Sequence, residues 1–191
     1  MAISIRQRPA AIYSYERTKF LSIMKNIFYL LSLFFLFVAE HSVAQTQTDT
    51  SKRYIKVPAG YLMVLRQGDD VFKLIEGMAM VEKIPSATLS GMGFVNARFG
   101  FFNFKTKEYE PKEFSEVEMG SMTGSIAWQN GKPSLHIHGV VSGKDFKAFG
   151  GHLLGATVST GSLEVLVTLH DKQLQRIKEE PLGANVLQLG Q

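Results

Sequence analysis

One stretch of this chain alone spaces its apolar residues at a helical period, and that limits the folds open to the remainder. Val71, Leu74, Ile75, Met78 and Val81 fall on one face of a 3.6-residue repeat, with Lys73, Glu76, Glu82 and Lys83 on the other. An aspartate able to cap precedes them in Gly68-Asp69-Asp70, and Pro85 follows, so the spacing predicts one amphipathic helix over about 70–83. Before it, Tyr61 to Arg66 is a compact apolar run that reads as a strand. After Pro85 the pattern turns to stretches rich in Val, Ile, Phe and Thr broken by glycine, as in Ala87 to Ala97, Phe99 to Phe104 and Val117 to Trp128. Asn130-Gly131 is a strong hairpin signal, and Gly143 to Asp145 reads as another turn. A last strand pair, His152 to Val158 and Leu163 to Leu169, is expected to be joined by a turn at Ser159 to Ser162. Residues 171–191 read as a loose tail. The expectation is a single α+β domain over 54–170, with a mainly antiparallel central sheet flanked by one principal helix.

The front of the chain has a different character. Lys25 precedes the thirteen-residue apolar run Ile27 to Ala39, and Ser42-Val43-Ala44 supplies a small-x-small cleavage site before Gln45. The run is shorter than the roughly 20 apolar residues a spanning helix needs. It reads as a signal peptide within a leader of residues 1–44, with Met24-Lys25 as an ordinary leader start, and it implies export to a periplasmic or extracellular compartment. Polar residues 45–53 form a disordered lead-in to the domain.

Charge then limits the partners. The net charge is +4, but residues 1–44 hold five of the 21 basic residues and two of the 17 acidic ones, leaving 16 against 15. A near-neutral mature chain has little with which to displace phosphate counterions, so strong nucleic-acid binding is not expected of it. With no cysteine in the chain, disulfides and thiolate metal sites are excluded, and any metal must rest on His, Asp and Glu.

Three histidines carry the sharpest chemical signal. His136 and His138 alternate within an expected strand and so share a face, and His152, after Gly150-Gly151, lies on what reads as a neighbouring strand. Three neutral imidazoles with an open fourth position suit zinc or a similar divalent ion, with ring nitrogens about 3 to 4 Å apart. The alternative is that they hydrogen-bond to backbone or to one another. Glu118 and Glu164 sit in otherwise apolar or neutral strands and are candidates to orient a histidine or to contact a partner, with outward exposure as the plain alternative. Gly150 and Gly151 are candidates for close backbone approach to a ligand, or simply for tight strand packing. Met78, Met80, Met92, Met119 and Met122 read as core filler. No nucleophile elbow, phosphate loop or dinucleotide fingerprint is present.

Four segments in this order resemble the plants-and-prokaryotes-conserved domain family over roughly 54–170. They are Gly60 to Asp69 (GYLMVLRQGD), Ser90 to Phe94 (SGMGF), Glu118 to Gly124 (EMGSMTG), and Leu135 to His138 (LHIH) followed by Gly150 to Leu154 (GGHLL). The resemblance implies a compact domain with a mainly antiparallel sheet and a helix, and a homotrimer. Plant members of the family join this domain to AT-hooks, which gives the family its DNA-binding label. Here Arg6-Gln7-Arg8-Pro9 lacks the central glycine and lies upstream of the leader, so no AT-hook is present. Where plant members carry a partner-contacting Gly-Arg-Phe-Glu-Ile-Leu stretch, this chain has Ser115 to Gly120 (SEVEMG), keeping Glu118 alone. The combined reading is an exported trimeric binding or interaction module. A metal-dependent enzyme on the three histidines and a DNA-binding protein are the alternatives.

Overall fold

The computed structural model describes Leu21, Met24, Lys25 and residues 52–189. The signal peptide, its cleavage site, the lead-in up to residue 51 and His41 lie outside the described residues apart from those three. Among the described residues no helix is long and apolar enough to cross a membrane.

The chain runs β1 (Tyr54–Val57), β2 (Gly60–Arg66), α1 (Val71–Val81), β3 (Ser86–Asn103), β4 (Glu108–Gln129), β5 (Lys132–Ser142), β6 (Ala148–His170), β7 (Gln175–Glu179) and β8 (Ala184–Gln188). Strand makes up 68% of the described residues and helix 10%, so the domain is mostly β, which corrects the expectation of an α+β domain with a principal flanking helix. Glycine is an ambiguous signal: Gly68, Gly131 and Gly143 lie where turns are expected, but the glycines inside the strands of 18, 22 and 23 residues do not reverse the chain. There they mark register shifts and close strand contacts, as at Gly91 and Gly93 in β3, rather than chain reversals. The turn expected at Ser159 to Ser162 is such a case. The β3–β6 register steps from Gly93↔Leu163 to Val95↔Val158, so the extra β6 residues form a bulge in one continuous strand. Residues 175–188, expected to be loose, form the β7–β8 hairpin, and β7 pairs in parallel with β4 at Trp128↔Gln175.

The pairings β3–β4, β4–β5, β5–β6 and β6–β3 close a ring, with β2 and then β1 extending from β6. Alternation sorts the side chains. Leu163, Val165 and Val167 of β6 are fully buried while Glu164, Leu166 and Thr168 between them face out. Helix α1 buries Val71, Ile75, Met78 and Ala79 against this core, and the Asp70 carboxylate accepts from the Lys73 N–H at 3.1 Å, an N-cap worth about 1 kcal/mol. At the β4–β5 turn, Asn130 and Gly131 have φ of 52° and 76°, the left-handed pair that a two-residue hairpin needs. Met78, Met119 and Met122 are core residues, but Met80 and Met92 are exposed.

Candidate metal centre

The three histidines meet because of strand register. His136 and His138 flank Ile137 on β5, and Ile137 is fully buried, so both rings project from the outer face of the ring of strands. His138 is the register partner of His152 on β6, and paired residues share a face. Each imidazole offers one nitrogen, and the three nitrogens lie within 4.8 Å of one another. The Nε2 atoms of His136 and His138 are 3.2 Å apart. Zinc bonds of about 2.0–2.1 Å around a tetrahedral centre set nitrogens roughly 3.3 Å apart, and the His136–His138 pair already has that spacing. His136 and His138 are exposed and His152 half-buried, which leaves the rings room to rotate inward. The donor set fits a divalent ion: these three histidines can hold a metal.

Electrostatics favour the neutral, ligating form of His136 and His152. Burial, followed by the neighbouring charges of His136 and His138, pushes His152 down to about 4. Burial, then His138 and Arg176, lowers His136. Neutral imidazoles have a lone pair to give a metal. The Tyr109 ring stacks on His152 at 4.8 Å and 17°, fixing its plane. Among the described residues no carboxylate bonds to any of the three rings.

Glu118 and Glu164 are elsewhere. Glu118 pairs with Phe94 and Ser142, and Glu164 with Met92 and Val64. The two line a separate cavity of about 360 Å³ with Phe94, Met119 and Ser162, without a histidine. Another cavity, of about 490 Å³ beside α1, is lined by Asp70, Asn96, Arg98 and Glu113, again without a histidine. Gly150 does lie where backbones approach closely, but the neighbour is protein: a Cβ there would sit 2.5 Å from the Gly139 carbonyl oxygen on β5. A Cβ on Gly151 would meet only the Gly100 oxygen, at 3.8 Å. His170 hydrogen-bonds to Ser86 and Thr88 at 3.2 and 3.0 Å, away from the cluster.

Beside the cluster is a cavity of about 240 Å³ lined by His136, His152, Tyr109, Phe102, Arg176 and Asn185, among others. The sequence marked neither Arg176 nor Asn185. Both sit in the charged stretch after residue 171, where an arginine looks solvated, and only the return of β7 beside β4 covers it.

Comparison with known proteins agrees with this architecture. Residues 53–171 match the model of the Plants and Prokaryotes Conserved domain, and the chain belongs to that family. A protein from Ralstonia eutropha JMP134, provisionally described as DNA-binding, is 50% identical, with a TM-score of 0.72 over 73% of this chain and 98% of its own. A Bacteroides thetaiotaomicron protein with the same provisional description is 30% identical, with a TM-score of 0.66 over 71% and 95%. A metal-containing protein from Archaeoglobus fulgidus is 34% identical, with a TM-score of 0.60 over 65% and 89%. No curated protein matches the sequence.

Proposed function

We propose that this chain is an exported, homotrimeric binding module of the Plants and Prokaryotes Conserved family, organised around a divalent metal ion, zinc by donor type, at His136, His138 and His152. The observation that carries the reading is the convergence of three imidazoles within 4.8 Å on one outward face. The metal content of the Archaeoglobus fulgidus protein supports it. Three protein ligands leave a coordination position open, and a bound metal would supply Lewis acidity there. Support for the trimer comes from large apolar side chains that one copy leaves in water, including Phe101 at 72%, Phe104 at 60% and Phe146 at 88% exposure.

Elemental analysis of purified protein tests the centre. One metal ion per chain is expected, falling to background in His136→Ala and His138→Ala. Metal-stripped wild-type protein that takes up no added zinc would end the proposal. DNA binding is the second reading, favoured by the descriptions of two relatives. The balance of 16 basic to 15 acidic residues from position 45 onward weighs against it. Salt-sensitive, submicromolar binding of the leaderless protein to duplex DNA would reverse that ordering.

A further inference from the structure

Arg176 is 4% exposed, and among the described residues no carboxylate pairs with it. Its Nη1 donates to the Ser134 carbonyl, and its Nη2 donates to the Ser125 Oγ at 2.6 Å and carbonyl at 3.3 Å. Its Nε donor has no partner. A guanidinium stays charged in a protein, and a buried charge that meets only neutral oxygens lacks most of what would compensate its desolvation. Burial lowers its pKa, but arginine starts so high that the cation persists.

Its position gives that charge a use. Ser125, which holds Nη2, is the register partner of His136, so the guanidinium lies on the face that carries the histidines. Arg176, His136 and His152 line the same cavity of about 240 Å³. That volume suits a molecule of a few non-hydrogen atoms. Phe102, Tyr109 and Leu135 give it apolar walls, which favour a short carbon skeleton over a fully hydrated inorganic anion, and Asn185 adds a polar side chain at its edge. The planar fork of arginine matches the two oxygens of a carboxylate.

We propose that this cavity binds a small organic carboxylate, whose negative charge is met by Arg176 and whose remainder lies against the three-histidine centre. The inference rests on the metal reading for the second half of that statement only, because Arg176 can attract the anion with or without the ion. Calorimetric titration of the full chain with malonate and acetate tests it, with zinc-loaded and metal-stripped protein run in parallel and acetamide as the neutral control. Saturable binding of a carboxylate but not of acetamide is expected. Arg176→Gln should weaken it at least tenfold while leaving zinc content at the wild-type level. Arg176→Lys, which keeps the charge and loses the fork, should fall between the two and guards against a Gln variant that does not fold. Wild-type affinity in both variants, or no carboxylate binding by zinc-loaded wild-type protein, overturns the proposal. Phosphate or sulfate displacing malonate at equal or lower concentration would overturn the choice of a carboxylate. Protein that takes up no zinc yet binds malonate in an Arg176-dependent way would instead refute the metal reading and leave the anion site standing.

Discussion

Gly150→Ala should damage the metal centre without touching a ligand. A Cβ on Gly150 would lie 2.5 Å from the Gly139 carbonyl oxygen, whereas real Cβ atoms essentially never come within 3.0 Å of a neighbour. The obstacle is backbone, so β5 and β6 must part by at least about half an ångström at Gly139 and Gly150, next to the His138↔His152 pair. Overpacking of this kind costs about 1–3 kcal/mol. At roughly 4 °C per kcal/mol for a domain of this size, thermal unfolding should drop by about 4–12 °C. Displacing a ligand-bearing strand should also weaken zinc binding, by about the 10–100-fold typical of lost ligand support. Gly155→Ala is the control, since a Cβ there meets nothing within 4 Å. It should be neutral or slightly stabilising, through its effect on the unfolded chain. Circular dichroism melts and competition with a chromophoric zinc chelator provide both readouts. If Gly150→Ala keeps wild-type stability and zinc affinity, the argument that strand proximity sets the site is refuted.

Burial raises the Asp69 carboxyl, but the Arg53 side chain, the Arg66 N–H and the Arg53 charge outweigh it and leave the pKa below its ordinary value. The folded-state pKa therefore lies under the unfolded one, and this ion pair's contribution, present above about pH 4, is lost as pH falls further. Denaturant titrations from pH 7 to 3 should show a shallower acid loss in Asp69→Asn than in wild type, and equal slopes would contradict this. N-terminal sequencing of native protein should begin at Gln45 in an envelope or extracellular fraction, and an intact leader in a soluble cytoplasmic fraction would count against export. Light scattering of the mature protein should give three times the chain mass, and a monomer at micromolar concentration would count against the trimer.

Local signals in the sequence were those that depend on neighbours along the chain. Helix α1 lies within the 70–83 stretch that its period marked, because a cap and an apolar stripe are properties of a dozen consecutive residues. The Asn130-Gly131 hairpin was legible for the same reason. His136 and His138 share a face by their spacing and His152 reads as lying on a neighbouring strand, but the residue-for-residue pairing of His138 does not follow from spacing. Its pairing with His152 depends on the β5–β6 register, which runs without a shift from Ser142↔Ala148 beside the turn to His138↔His152. Glycine is the signal that carries two meanings. A glycine in a Val- and Phe-rich run can end a strand or let two strands touch, and the sequence does not distinguish them. The β3, β4 and β6 glycines mostly do the second, so short hairpin-linked strands became three long ones, and the expected helix-flanked sheet became a mostly β domain.

The three imidazoles and the guanidinium have different structural origins, and this bears on how the site is built. His136, His138 and His152 stand on strands whose alternate residues, Ile137 and Leu153, are locked in the core at 0% and 1% exposure. Their backbone positions are therefore as fixed as the core itself, as a constellation able to hold an ion requires. Arg176 comes from β7, beyond the residues 53–171 that match the family model, and it reaches the cavity only because β7 docks beside Trp128 of β4. The histidine cluster thus lies within the residues that match the family model, and the cationic wall beside it on the β7 strand that follows them. Arg176 can be replaced without altering any of the three histidines, so the proposed metal and anion sites can be tested separately.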